Sequence, residues 1–174
     1  MHGFGSIGSS ALEMVAERQG VELSNEDKQE IIGGISCMPP HPEVEEGLGR
    51  LRDAGIRLVA LLTNSTQEVA ESQVGNSGLG GYFEQILSAD GAKRLKPTPA
   101  PYRMSTQSTG VGIEQIRLVA AHAWDVTGAI LAGCAAAFVA RPRMMLDPVS
   151  QYSDVVGADL VEVADGIIEA EAGG

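Results

Sequence analysis

The chain has 174 residues, a formal net charge of -11 and a pI near 4.6. That length fits one domain with a sizeable core, and the acidic balance excludes a sequence-independent grip on nucleic acid or an anionic membrane, because both need a basic face. No run is long enough to span a bilayer, no basic stretch leads into an apolar leader segment, and Cys37 and Cys134 stand far apart, so a soluble, cytoplasmic protein with reduced thiols and no metal is expected.

Helices come first. Ser9 or Ser10 is suited to cap a helix that places Leu12, Val15 and Ala16 on one face and stops at Gly20. Ser24 with Asp27 resembles a capping box for a second helix, and Pro39-Pro40 breaks the pattern. Pro42 suits the first turn of a third helix whose Val44, Leu48 and Leu51 share a stripe, with Gly55 where a helix favours its end. The texture then changes. Apolar runs at 56–62, 86–89, 116–121 and 135–140 are each followed by turn or polar residues, with helix-compatible segments between them. Residues 155–163 form a weaker candidate for a last short strand, leading into a helix near 163–170. This alternation predicts an α/β fold of Rossmann type with a parallel sheet covered on both faces, preceded by a small helical element.

In such sheets the chemistry gathers where loops leave the carboxyl ends of strands. After the first run comes Thr63-Asn64-Ser65-Thr66, able to hold an anion or simply to cap a helix. Beyond the second, past Asp90, lies Lys96-Pro97, with Tyr102 six residues on; taken alone, such a lysine reads most simply as a solvated loop residue. The third ends in His122-Ala123-Trp124-Asp125, where a lone histidine and tryptophan more often pack than react. A nucleotide-binding Rossmann domain is excluded for want of a glycine-rich phosphate turn after a strand. Gly78-Leu79-Gly80-Gly81 follows a helix and reads as its terminator.

The order of these elements, a strand ending in Thr63-Asn64, a Lys96 loop and a strand ending in Asp125, resembles the haloacid dehalogenase superfamily. Lys96 with Tyr102, followed by residues 119–125 and Gly128-Ala129, resembles its L-2-haloacid dehalogenase group. The resemblance covers nearly the whole chain. It implies a partial helical cap over 1–40 and a Rossmann-like core over 41–174, with the stretch 138–147 matching the loop after the fifth core strand. It further implies hydrolysis of small (S)-2-haloacids to 2-hydroxyacids through an ester on an aspartate, with no cofactor and no metal. Phosphatases of this fold carry an acidic magnesium ligand four positions before the last Asp of the motif, and Ala121 stands there.

Roles carried over by the resemblance are catalytic for Lys96, which would sit beside the nucleophilic carboxylate, and for Asp125, which would orient Lys96 and position water. Thr63, Asn64, Tyr102, His122 and Trp124 would contact or wall in the substrate. The sequence departs from better-known members at Ala120 and His122, where those carry Ser and Asn.

The nucleophile itself is expected on a first core strand ending in Asp-x-x-x-Thr or Ser, and no apolar run here ends that way. Asp90 is followed by Lys93 and Arg94, Asp125 has Ala129 four residues on, and Asp147 has Gln151. The arginine that would receive the halide belongs to the same segment, so the sequence is read as entering partway through the cap. That strand would lie mid-sheet between the runs at 56–62 and 116–121. Two edges are then expected to close by self-pairing in a homodimer, by a strand-completing partner, or within a longer protein. Two functions follow: a dehalogenase inactive in this truncated form, or a non-catalytic remnant that binds a small carboxylate or a partner chain.

Overall fold

The first helix follows from side-chain spacing rather than from a serine cap. The computed structural model describes residues 4–61, 63–148 and 153–173, and in it α1 spans Phe4–Gln19. Ile7, Ala11 and Val15 recur every four residues, so the helical stripe runs back through Ser9 and Ser10, which become interior rather than capping positions. The end at Gly20 stands, with φ at +67°. Helix α2 (Asn25–Gly34) starts on the expected capping box. The Ser24 hydroxyl accepts from the Asp27 N–H at 3.1 Å, and the Asp27 carboxylate accepts from the Ser24 N–H at 2.9 Å.

Helix α3 (Val44–Asp53) buries Leu48 and Leu51, while Pro42 lies in the turn before it rather than in its first turn. It stops where expected: Gly55 takes φ of +80°, and the Ile56 N–H reaches back to the Leu51 carbonyl at 3.0 Å. Strand β1 (Ala60–Leu61) then leads to α4 (Gln67–Asn76), capped by Thr66, and β2 (Ile86–Leu87) follows. Next come α5 (Pro99–Thr109), β3 (Arg117–Ala120), α6 (Ala123–Ala132), β4 (Ala135–Val139), β5 (Val155–Gly157) and α7 (Leu160–Ala172). Helix α7 starts earlier than the sequence suggests because the Asp159 carboxylate accepts from the N–H groups of Val161 and Glu162 at 2.9 and 3.0 Å. Position 62 and residues 149–152, on which the first apolar run and the residues following Asp147 bear, lie outside the described residues.

The fold is mixed α/β, more helical than the apolar runs suggest, and every strand pair is parallel. Strands β1 and β2 form one sheet with Ala60 opposite Ile86. Strands β3, β4 and β5 form another, with Arg117 opposite Ala135 and Ala137 opposite Val155. On one side, Leu51 of α3 and Val163, Ala164 and Ile167 of α7 pack with Ala137, Val139 and Val155. Ile56 and Leu58, which lead into β1, and Val119 and Ala121 at β3 rest on that same cluster. On the other side, Val126 of α6 packs with Ala136 and Phe138, and a third cluster joins Tyr102, Ala129, Ala132 and Cys134. Residues beside both sheets thus pack on one shared apolar cluster.

Burial pushes the Cys134 thiol up from 9.0 to about 11. The folded chain keeps that proton while the unfolded chain releases it, so this contribution is complete below pH 9 and is lost as pH rises towards 11. At about 1.4 kcal/mol per unit, the loss is about 2–3 kcal/mol. Urea unfolding at pH 8 and pH 11 should show a smaller alkaline loss in Cys134→Ala; an unchanged loss would rule this thiol out as its source.

Candidate active site

The loops after β1, β2 and β3 meet through a chain of hydrogen bonds from Asn64 to Lys96 to Asp125. Asn64, just past β1, grips the backbone of Lys96. Its Oδ1 accepts from the Lys96 N–H at 2.7 Å and its Nδ2 donates to the Lys96 carbonyl at 3.2 Å. The peptide bond between Lys96 and Pro97 is cis.

The gripped lysine turns inward. Its Nζ donates to Asp125 Oδ2 at 2.5 Å, with side-chain exposures of only 5% and 9%. An ion pair so deep is stable only when its remaining polar atoms are satisfied. Asp125 Oδ1 accepts from the buried Tyr102 hydroxyl at 2.7 Å, and Asp125 sits in the first turn of α6, where the free N–H ends favour a carboxylate. Burial first, then the bond to Asp125, raises the Tyr102 phenol far above its ordinary value, so it stays a neutral donor. Lys96 carries three N–H donors, and Asp125 is its single side-chain partner among the described residues.

Around this pair the other expected residues divide. Trp124 is 46% exposed, and the Lys96 ammonium lies 5.9 Å from its ring centre. His122 is exposed, its ring 5.9 Å from that of Trp124. Thr63 Oγ1 shares a 2.6 Å hydrogen bond with Ser65 Oγ and accepts from the Ser65 N–H at 3.1 Å, leaving Thr66 as the helix cap. Lys96, Tyr102 and Asp125 are therefore in direct contact, Asn64 joins through the backbone, and Thr63 stands at the same strand end.

Three further residues shape the site in ways the sequence reading does not assign, although Ser65 and Gly128 stand in stretches it quotes. Ser65 is buried, and its carbonyl accepts a short hydrogen bond from the buried Ser88, which ties the β1 loop to the end of β2. Gly128 lets α6 approach the Lys96 loop: a Cβ there would lie 2.6 Å from Pro97 Cβ and 2.7 Å from Tyr102 Oη. Its place in the Gly128-Ala129 pair of the motif was the signal available beforehand; the close approach it permits was not. Gly128→Ala is expected to cost about 1–3 kcal/mol of stability through that overlap. Thermal unfolding of the variant tests this; an unchanged midpoint would mean the loop yields freely.

A family model described as haloacid dehalogenase-like hydrolase matches residues 8–133. The chain belongs to that family. It is 35% identical over 131 residues to haloacetate dehalogenase H-2 from Moraxella sp. strain B, covering 75% of this chain and 56% of the relative. It is 28% identical over 153 residues to (S)-2-haloacid dehalogenase 2 from Pseudomonas sp. strain CBS-3, covering 88% of this chain and 66% of that enzyme. The chain thus spans less than two thirds of the length of both curated relatives. The L-2-haloacid dehalogenase from Xanthobacter autotrophicus, solved with chloropropionic acid covalently bound, has the same fold at a TM-score of 0.85 and 22% identity, over 95% of this chain and 76% of that one. This haloacid dehalogenase-like chain therefore holds its buried Lys96-Asp125 pair in the fold shared with L-2-haloacid dehalogenases.

Proposed function

We propose that this chain carries the lysine-aspartate part of a dehalogenase site for small (S)-2-haloacids. The observation that carries the reading is the buried Lys96, Asp125 and Tyr102 network, held by Asn64 and bordered by exposed Trp124 and His122. We place the site in a Rossmann-like core over 41–174, in which no strand pairs with both β1 and β3 among the described residues, with 1–40 as part of a helical cap, working in a reducing cytoplasm. The described helices include none long and apolar enough to cross a membrane.

In the reaction, an aspartate oxygen attacks C2 of the haloacid, the carbon-halogen bond breaks with inversion, and halide leaves with the electron pair. Water then adds to the ester carbonyl carbon. The acyl-oxygen bond breaks, and the 2-hydroxyacid leaves with a proton from that water as the carboxylate is regenerated. Lys96 would keep the attacking carboxylate ionised and offset negative charge on the ester oxygen, with Asp125 holding its ammonium and Tyr102 holding Asp125. Thr63 would meet the substrate carboxylate and Trp124 would wall the pocket. A magnesium-dependent phosphatase is the poorer fit because the Ala121 methyl offers no ligand.

Among the described residues Asp125 is the one carboxylate paired with Lys96, and no second aspartate is described beside it to serve as the nucleophile. The chain by itself is therefore expected to bind L-2-chloropropionate without releasing chloride. Trp124 is the only tryptophan, so its fluorescence reports directly on this site. Saturable quenching by the L isomer, weakened in Thr63→Val, is the expected result. Fluorescence indifferent to either isomer would sink the reading.

A further inference from the structure

Among the described residues the Ser65 hydroxyl has Thr63 as its one hydrogen-bond partner, and that fixes the direction of the bond. The two hydroxyl oxygens lie 2.6 Å apart, and Thr63 Oγ1 also accepts from the Ser65 N–H at 3.1 Å. Distance alone lets either hydroxyl donate; burial does not. Ser65 is 6% exposed, whereas Thr63 is exposed. Were Thr63 the donor, the Ser65 proton would be left in the interior with no acceptor among the described residues. The reverse strands no donor, because the Thr63 proton can reach water. Ser65 therefore donates twice to one oxygen, from its N–H and from its hydroxyl. A hydroxyl oxygen has two lone pairs and one proton, so both acceptor positions of Thr63 are taken and its proton points away from Ser65. The loop around it is held as firmly. The Ser65 carbonyl accepts from the buried Ser88 hydroxyl, which accepts from the Asp90 N–H at 3.1 Å, and Asn64 is bound to the Lys96 backbone by both ends of its amide.

We propose that Ser65 is a positioning residue: by filling both acceptor positions of the Thr63 hydroxyl it commits that group to donate, so the loop after β1 selects a carboxylate over the matching neutral amide. A hydroxyl free to turn makes no such choice, since it can donate to a carboxylate oxygen or accept from an amide N–H. With its lone pairs occupied, Thr63 has only a proton to offer, and its hydrogen bond to an anion is the stronger, charge-assisted kind. The hydroxyl also needs no reorientation on binding. That the anion is a 2-haloacid rests on the dehalogenase reading above, whereas the direction of the Ser65 bond does not.

Two measurements on the full chain test this. Nuclear magnetic resonance of the hydroxyl protons, with no ligand and no variant, should find slow exchange at Ser65 and fast exchange at Thr63. A protected Thr63 proton, or fast exchange at both, overturns the proposal. Trp124 fluorescence then compares L-2-chloropropionate with L-2-chloropropionamide, and the chain should favour the carboxylate about tenfold or more. In Ser65→Ala the N–H of residue 65 still fills one acceptor position, so the Thr63 proton divides between two directions. The preference should fall about threefold as carboxylate binding weakens and an exposed lone pair becomes open to the amide. Ser65→Thr, which keeps the hydroxyl, should retain it. In a Thr63→Val background, Ser65→Ala should leave the preference unchanged, because the group it acts through is gone. An equal fall with and without the Thr63 hydroxyl, with native far-ultraviolet dichroism throughout, would mean that Ser65 only supports the loop and overturns the proposal. Equal binding of acid and amide by the unaltered chain overturns the selection alone, whereas fluorescence indifferent to both removes the dehalogenase reading with it.

Discussion

Lys96→Met should lower the free energy of unfolding by about 3–5 kcal/mol, the cost of leaving one member of a buried ion pair without its partner. Methionine keeps the aliphatic stem, so the loss isolates the ammonium. Asp125 would retain the Tyr102 hydroxyl at 2.7 Å and its favourable place in the first turn of α6, but it would carry an uncompensated charge at 9% side-chain exposure. Adding Asp125→Asn removes that charge while keeping an acceptor for Tyr102, so the double variant should recover more than half of the loss. Urea unfolding of the wild type, both single variants and the double variant gives the coupling directly. A single-variant loss below about 1 kcal/mol would mean that water reaches the pair and that the site is wetter than its burial indicates.

Phe138→Ala should be comparably severe, at about 3–5 kcal/mol, for a different reason. Phe138, the fourth of the five residues of β4, is 1% exposed and packs with Val126 and Ala136, with Ala120, Ile130 and Leu146 around them. Removing the ring opens a cavity beneath α6, the helix that presents Asp125. The variant should therefore lose site order as well as stability, seen as a Trp124 emission shift at temperatures where the far-ultraviolet dichroism is still native. Stability lost with Trp124 unchanged would show that α6 is held by the Tyr102 cluster and not by β4.

The parallel α/β arrangement was legible because five apolar segments alternate with helical ones, but strand lengths were not. The apolar run 56–62 contributes only Ala60–Leu61 to a ladder among the described residues, and 86–89 only Ile86–Leu87. A residue can carry the right side chain for a strand and still have no neighbour to bond, so ladders end where the partner ends. Helix α1 was misjudged at its start for a related reason, since a serine suits a helix interior when the apolar stripe continues past it. At the site, the meeting of Lys96, Tyr102 and Asp125 follows the order expected from the resemblance. The grip of the Asn64 amide on the Lys96 backbone was not part of that expectation. An asparagine's partners depend on what lies opposite it in space, and that was hidden until the loop of Lys96 closed over it.

Ladder bonds run within each pair or trio of strands and not from one to the other among the described residues, so the contacts at Lys96 have a mechanical duty as well as a chemical one. Asn64 to Lys96 joins the loops that follow β1 and β2, and Lys96 to Asp125 crosses to the helix that follows β3. That crossing bond is polar and short-ranged, whereas the packing that accompanies it is spread over many side chains. A small separation of the halves would therefore break the ion pair while most apolar contacts survive. Loss of alignment at Lys96 would be an early sign of loosening, detectable before either half of the molecule has melted.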